Sequence, residues 1–322
     1  YKNRLWQDME RMGSMSAWNP DHFLDVGGGT FGMAIAYDWL YDYWTDDQRE
    51  KFETWIYNNG ISYALQAEFD EWYYNIVWLE PVGEDDVPLG NWTAVCQAGM
   101  IIGALAVMDK YPDEAAQVIE SGLRHIEYMW PSYAPIGAWA EGPLYWGYCG
   151  YSVVSLLAAL KSGLGTAFGY DDYKPLKKSS YYMMAMCGAT NMFNYGDCDY
   201  SWQNTTPMSW FANAYDDMGI AEFRLNYLNK KYAEVAAYDL AFMPFVLGND
   251  SVEKLAKDMY FEYEETGMMR SGWTSESDSY LGYHCGTNMA GHMNYDSGCF
   301  VYDIMGTLWI CDLGRDGYNG NT

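Results

Sequence analysis

The hydrophobic period of this chain changes once, near Met268, and that change limits the folds open to it. Upstream, apolar residues recur at helical spacing and no strand-rich block interrupts them. Phe31–Tyr43 reads FGMAIAYDWLYDY, Ala94–Lys110 is rich in Ala, Met and Ile, and Pro112–Tyr128 is amphipathic with a Pro start and an acidic first turn. Thr45 followed by Gln48 is a capping-box signature for a helix over Asp46–Asn58. Further helices are predicted over Ser152–Ser162, Tyr181–Cys187, Pro207–Met218 and Ala221–Tyr232. βαβ alternation is absent. A series of antiparallel helix pairs of this kind fits an α/α toroid.

From Met268 onward, short β-branched or aromatic stretches alternate with Gly and Asp turns: Met268–Trp273, Tyr280–Cys285, Gly298–Ile304 and Thr307–Leu313. Phe300–Asp303 and Thr307–Cys311, joined through Met305-Gly306, read as a hairpin. About fifty residues give only three or four strands, so the sheet is expected to be incomplete. The expected fold is mainly α: an incomplete α/α toroid over 1–267, followed by the first strands of a C-terminal antiparallel β-sandwich domain over 268–322. The chain does not begin with Met and opens and closes inside recognisable patterns, so it reads as a fragment.

Composition narrows the partners. The net charge is −26, from 44 acidic and 18 basic residues. Nucleic acid or an anionic membrane needs a positive field, so neither is expected as a partner. No apolar run reaches the length of a membrane-spanning helix, and no signal peptide is visible. The seven Cys are scattered without a C-x-x-C pair, which argues against a disulfide framework or a zinc module. The 31 Tyr and 15 Trp serve helix packing in a large core, and some of them are candidates to line a groove, where flat rings stack on sugar faces.

Several segments occur in the order found in one family. His22-Phe23-Leu24-Asp25 comes first, then Ala34-Ile35-Ala36-Tyr37-Asp38-Trp39-Leu40-Tyr41, then Asn91-Trp92-Thr93-Ala94-Val95-Cys96 opening a helix. Glu141-Gly142-Pro143-Leu144-Tyr145-Trp146-Gly147-Tyr148 opens another, and Phe193-Asn194-Tyr195-Gly196-Asp197 follows. The last is the run Gly286-x-Asn288-x-x-x-His292-x-Asn294-x-Asp296-x-Gly298-x-Phe300. In this order the chain resembles the heparinase II/III-like polysaccharide lyases, whose toroid is followed by a β-sheet domain. The resembled run has a second His where Asn294 stands here.

That resemblance implies cleavage of a uronate-containing acidic polysaccharide by β-elimination, with the substrate as partner and no cofactor required. The proton at C5, next to the carboxylate, is a poor acid. Donors must therefore stabilise charge developing on the carboxylate, while a base reaches C5 and an acid reaches the leaving oxygen. Asn91 suits the carboxylate donor, and suits equally an N-cap for the helix beginning at Trp92. Asn91 and Tyr145 stand 54 residues apart, as in the Asn–Tyr pair of the resembled lyases. Tyr145 is the candidate base and acid, with Tyr148 one helical turn on as second choice. Among four His, His292 is the candidate second catalytic group, and a strand His satisfied by the backbone is the alternative. His22, Trp92, Glu141, Tyr148 and Arg270 are candidate substrate-binding residues. His125 is expected to be structural, and His284 is undecided. Arg270, Arg315 and His292 are candidates for a local positive patch.

A structural divalent metal is a further expectation of the resemblance, through the positions of Asn294 and Asp312, although Asn is a poor zinc ligand. Asp296 and Asp312 would suit a hard cation such as calcium. Asp197 and Asp199 read as loop anchors. The resemblance favours a periplasmic or secreted protein, but the sequence leaves localisation open. A glycoside hydrolase using paired carboxylates such as Glu141 and Asp38, or a non-catalytic carbohydrate-binding toroid, remain alternatives.

Overall fold

The computed structural model describes residues 1–69, 78–79, 90–199, 204–228, 237–244, 252–288 and 291–315. Its helices are α1 (Lys2–Gly13), α2 (Phe23–Trp39), α3 (Asp46–Ile56), α4 (Ser62–Phe69), α5 (Gly90–Val107), α6 (Pro112–His125), α7 (Gly142–Leu164), α8 (Lys174–Met186), α9 (Pro207–Ala214), α10 (Met218–Leu228) and α11 (Ala237–Phe242). Strands β1 (Asp258–Phe261), β2 (Thr266–Arg270), β3 (Tyr280–His284), β4 (Cys299–Ile304) and β5 (Thr307–Ile310) follow. The fold class is therefore mainly α with a C-terminal antiparallel sheet, as the change of period near Met268 predicts. Residues 229–232 of one expected helix lie outside the described residues.

The chain divides into two compact units. The first is Tyr1–Trp130 with Ser155–Phe168, and the second is Pro131–Val154 with Gly169–Thr322. Helix α7 contributes its first part to the second unit and its remainder to the first.

In the first unit, α2 packs on α5 through missing side chains. A Cβ added at Gly99 would lie 2.2 Å from the Gly27 carbonyl oxygen, and one at Gly103 would lie 2.2 Å from Thr30 Cγ2. Small residues on both helices thus allow close backbone approach. Helix α5 has a mean hydropathy of 1.3 over 18 residues, yet 83% of it is buried. Its apolarity on every side reflects a core position. Around this pair lies an aromatic cluster in which Trp6 meets Trp44, Phe52 and Trp55 at centroid distances of 5.9, 5.7 and 5.6 Å. The Thr45–Gln48 capping box forms as expected and starts α3.

In the second unit, the sheet is a five-stranded antiparallel meander in the order β1-β2-β3-β4-β5. β1 precedes the expected start at Met268. Its four residues, DMYF, are too few for alternation to stand out in the sequence. Register is fixed by pairs such as Met268↔Gly282 and Gly282↔Val301. The sheet is tied to the helical part of this unit by Tyr280, whose hydroxyl donates to the Ala185 carbonyl at 2.7 Å. Asp303 accepts from both the N–H and the hydroxyl of Thr190, at 2.6 and 2.8 Å. Helices α10 and α11 are joined by a buried ion pair. Arg224 donates to both carboxylate oxygens of Asp239, at 3.0 and 2.7 Å, and to Thr205 Oγ1 at 2.6 Å.

Gly99→Ala tests the packing of α2 on α5. The substitution raises helix propensity by about 1 kcal/mol, but the added Cβ meets fixed backbone. We expect net destabilisation of about 1–3 kcal/mol, as for overpacked cores. Thermal denaturation of the variant should show a lower Tm, and an unchanged or raised Tm would refute this account of the contact.

Candidate active site

Helix α7 presents Tyr145 because its start is conformationally specified. Gly142 holds φ +83°, in the left-handed region, and donates its N–H to the Trp139 carbonyl at 3.0 Å. Pro143 follows in the first turn, where its missing N–H costs nothing. Tyr145 is thereby set on the opening turn. Tyr148 lies edge-on to it at 6.2 Å and is 43% exposed.

The β3–β4 loop brings His292 onto Tyr145. Their ring centroids are 3.7 Å apart with an interplanar angle of 16°, a parallel stack. His292 has φ +62°, uncommon for a residue with a side chain. Its Nδ1 lies 2.8 Å from Asp197 Oδ2, and its carbonyl accepts the Asp197 N–H at 3.0 Å. Glu141 is buried, accepts from Trp139 Nε1 at 3.1 Å, and would lie 3.5 Å from a Cβ on the neighbouring Gly291. The second unit thus gathers Tyr145, Tyr148, His292, Asp197 and Glu141. A phenol and an imidazole in van der Waals contact form a pair able to accept and deliver protons at one place.

The segment that supplies Asp197 follows α8. Cys187 and Met192 form an isolated antiparallel bridge, and Phe193 donates its N–H to the Met186 carbonyl at 2.8 Å. This turns the chain so that residues 194–197 meet the β3–β4 loop. Asp197, read from sequence as a loop anchor, is the carboxylate partner of His292. The sequence signal for it was its place in the Phe193–Asp197 segment, which carries no spacing relation to His292.

In the first unit, Asn91 lies in the opening turn of α5 and is 1% exposed. Asn91 is the second residue of this helix as described. The adjacent Trp92 meets His22 edge-on at 4.9 Å. His22 is within 3.4 Å of Asp25, which also accepts from Asn19 at 2.7 Å. Asp38 is exposed near the end of α2.

Residues at two sets of expected site positions have other partners in the structure. Arg270, expected to bind substrate, is buried: its guanidinium lies 3.7 Å over the Trp273 ring and donates to the Cys187 carbonyl. It holds the end of α8 to the sheet. The residues at the expected metal positions make hydrogen bonds to the backbone. Asn294 Nδ2 donates to the Gly196 carbonyl at 2.8 Å, and Asp296 Oδ2 accepts the Gly196 N–H at 2.6 Å. Asp312 Oδ1 accepts from Gly314 at 2.7 Å. Among the described residues no three metal-ligating side chains converge.

His284 and His125 are structural. His125 lies 2.9 Å from Glu68. His284 stacks on Tyr195 at 4.5 Å, and its Nδ1 is 2.6 Å from Thr266 Oγ1. The Thr266 hydroxyl donates to the Glu264 carbonyl at 2.9 Å, so Nδ1 of His284 is the donor in their contact. Burial lowers His284 to about 4. Burial also raises Glu264 to about 7, with one carboxylate oxygen lacking a partner. Burial raises Asp296, and Asp312 and Asp197 reinforce this against the Gly196 N–H.

No family model and no curated protein sequence matches this chain. Solved structures do. A heparinase III shares 14% identity, with 95% of this chain covering 42% of that one at a TM-score of 0.59. The heparan sulfate lyase HepC from Pedobacter heparinus shares 14%, with 93% covering 42% at a TM-score of 0.55. The chain therefore has a heparinase-like fold, part of the toroid followed by a sheet, and spans about two-fifths of the length of these structures.

Glu264 gives a pH test. Its carboxyl is more basic in the folded protein than in the unfolded chain, so the folded state holds the extra proton. Stability on its account falls as pH rises from about 4.5 to about 7. His284, lowered, works in the opposite sense between about 4 and 6.5. Glu264→Gln should therefore gain about 3 kcal/mol over the parent at pH 8. The gain should vanish below pH 4.5 in chemical denaturation, and a pH-independent difference would contradict the assignment.

Proposed function

We propose that this chain carries catalytic residues of a polysaccharide lyase that cleaves uronate-containing polysaccharide by β-elimination. The observation that carries the reading is the 3.7 Å stack of Tyr145 on His292, a pair far apart in the sequence and singled out from it. The heparinase-like fold supports it, since the matched structures are a heparinase III and a heparan sulfate lyase.

In this reading Tyr145 takes the C5 proton and delivers a proton to the glycosidic oxygen on C4. The C4–O bond breaks, a C4=C5 double bond forms, and the electron pair of the C5–H bond becomes the new π bond. His292, against the phenol ring, acts as the second proton carrier or as a donor to the substrate carboxylate. Asn91 is assigned the neutral donor to that carboxylate, which stabilises the charge that builds there. Tyr148, exposed beside Tyr145, and the His22–Trp92 pair are assigned to sugar contacts. The net charge of −26 with only 18 basic residues disfavours a densely charged polyanion at long range. A hydrolase built on Glu141 is less favoured, because Glu141 is buried and holds the Trp139 N–H.

The experiment is incubation with heparan sulfate, chondroitin, hyaluronan and alginate, followed by ultraviolet absorbance of the unsaturated ends. We expect absorbing products from at least one of them. Tyr145→Phe keeps the ring stack and removes the hydroxyl, so the fold should hold while turnover drops about 10²–10⁴-fold. New reducing ends without absorbance would mean hydrolysis and would overturn the lyase reading. Near-normal turnover of the variant would move the proton role to Tyr148 or His292.

A further inference from the structure

We infer that His292 is held by a metal-free clasp, in which Asp197 is the positioning residue for the imidazole and Asn294 fastens the His292 loop to Gly196. The catalytic meaning of the clasp rests on the reading above; its geometry does not. Two loops, residues 194–197 and the β3–β4 loop, are joined by four hydrogen bonds. Asp197 donates its N–H to the His292 carbonyl at 3.0 Å, and its carboxylate faces His292 Nδ1 at 2.8 Å. Asn294 Nδ2 donates to the Gly196 carbonyl at 2.8 Å. Gly196 in turn donates its N–H to Asp296 Oδ2 at 2.6 Å.

Each member is the residue type its place requires. Gly196 has φ +66°, and a Cβ there would lie 3.1 Å from the His292 carbonyl oxygen and 3.3 Å from Met293 Sδ. Position 294 faces a carbonyl and needs a donor. Asn supplies one without charge, whereas a carboxylate would repel that oxygen. Asp197 grips His292 at two points, ring and backbone. That fixes the ring plane against Tyr145 and compels the left-handed φ of +62° at His292. With the Asp197 carboxylate as the acceptor opposite it, Nδ1 is the donor, which leaves Nε2 as the lone-pair nitrogen of the tautomer. Asn294 is a poor metal ligand, its amide here donates to a carbonyl, and Asp296 and Asp312 each accept a backbone N–H. The hydrogen bonds thus do the holding that coordination would otherwise supply.

The tautomer is directly measurable, without reference to activity. Nitrogen-15 spectra of the full chain labelled at histidine, with His292→Gln for assignment, should show Nδ1–H and an unprotonated Nε2 for His292 near pH 8. Asp197→Ala should release the ring toward the Nε2–H form of an unconstrained imidazole. On any polymer the parent cleaves, it should lower kcat about 10- to 100-fold, as loss of an orienting partner does, with KM little changed. Asn294→Asp should broaden or shift the His292 signals, because the donor becomes a repelled acceptor. Prolonged dialysis against EDTA and phenanthroline should leave the His292 signals and the Tm unchanged.

An Nε2–H tautomer in the unmodified protein would overturn the proposal without any variant. Unaltered His292 signals in a folded Asp197→Ala protein would do the same. A chelator-induced shift would overturn the metal-free claim. Absence of unsaturated products from the parent protein would instead defeat the lyase reading, while the tautomer would still decide the clasp.

Discussion

Gly196 lets two loops approach until backbone meets backbone, and the candidate site in the second unit depends on that contact. One loop follows α8 and carries Asp197; the other joins β3 to β4 and carries His292. Neither is regular structure, so neither has a ladder to fix its conformation. Their four mutual hydrogen bonds take the place of one. A loop so fastened can hold a side chain as firmly as a strand, because the polar backbone groups it buries are satisfied. His292 is in a left-handed conformation as a consequence, and its ring lies flat on Tyr145.

The surrounding sheet and helices serve this contact indirectly. Tyr280 and Asp303 tie β3 and β4 to the end of α8 and the turn after it. The same segment then runs on to Gly196 and Asp197. Tyr195, just before them, is buried against His284 of β3. The stretch from 187 to 197 is therefore pinned to the sheet at several points, and the strands that bound the β3–β4 loop are the strands it is pinned to. The many aromatic residues have the packing role that composition suggested: Trp139, Trp146, Tyr182, Tyr195 and Phe211 are all fully buried.

Much of this was legible in the sequence, and the unread part has a common cause. Long periodic helices such as α5 and α6 and the Thr45–Gln48 cap are written in local spacing, and the structure has them. The short elements β1 and α11 are not, because four to six residues hold no period. Tyr145 and His292 were singled out through the order of motifs, and the structure stacks them. The carboxylate partner of His292 was not foreseen, because a contact between residues 197 and 292 has no local signature. Arg270 was misread for the same reason: its charge was visible, but not the Trp273 and Tyr280 rings that enclose it. Asn294 stood out as a departure from a pattern, and only the Gly196 carbonyl opposite it explains which hydrogen bond it makes.

The charge of the chain and the chemistry of its candidate residues fit together on physical grounds. A protein with 44 acidic and 18 basic residues repels a polyanion at long range, and the basic residues that could offset this are largely engaged. Arg224 is buried on Asp239, Arg270 is buried under Trp273, and Lys177 and Lys257 pair with surface carboxylates. In the lyase reading, oriented dipoles would then carry much of the stabilisation of a developing carboxylate charge. In the proposed reading, Asn91, Tyr145 and His292 would supply hydrogen-bond donors of that kind. Such donors act at hydrogen-bond distance, where their alignment is set before the substrate arrives and costs no reorganisation during reaction.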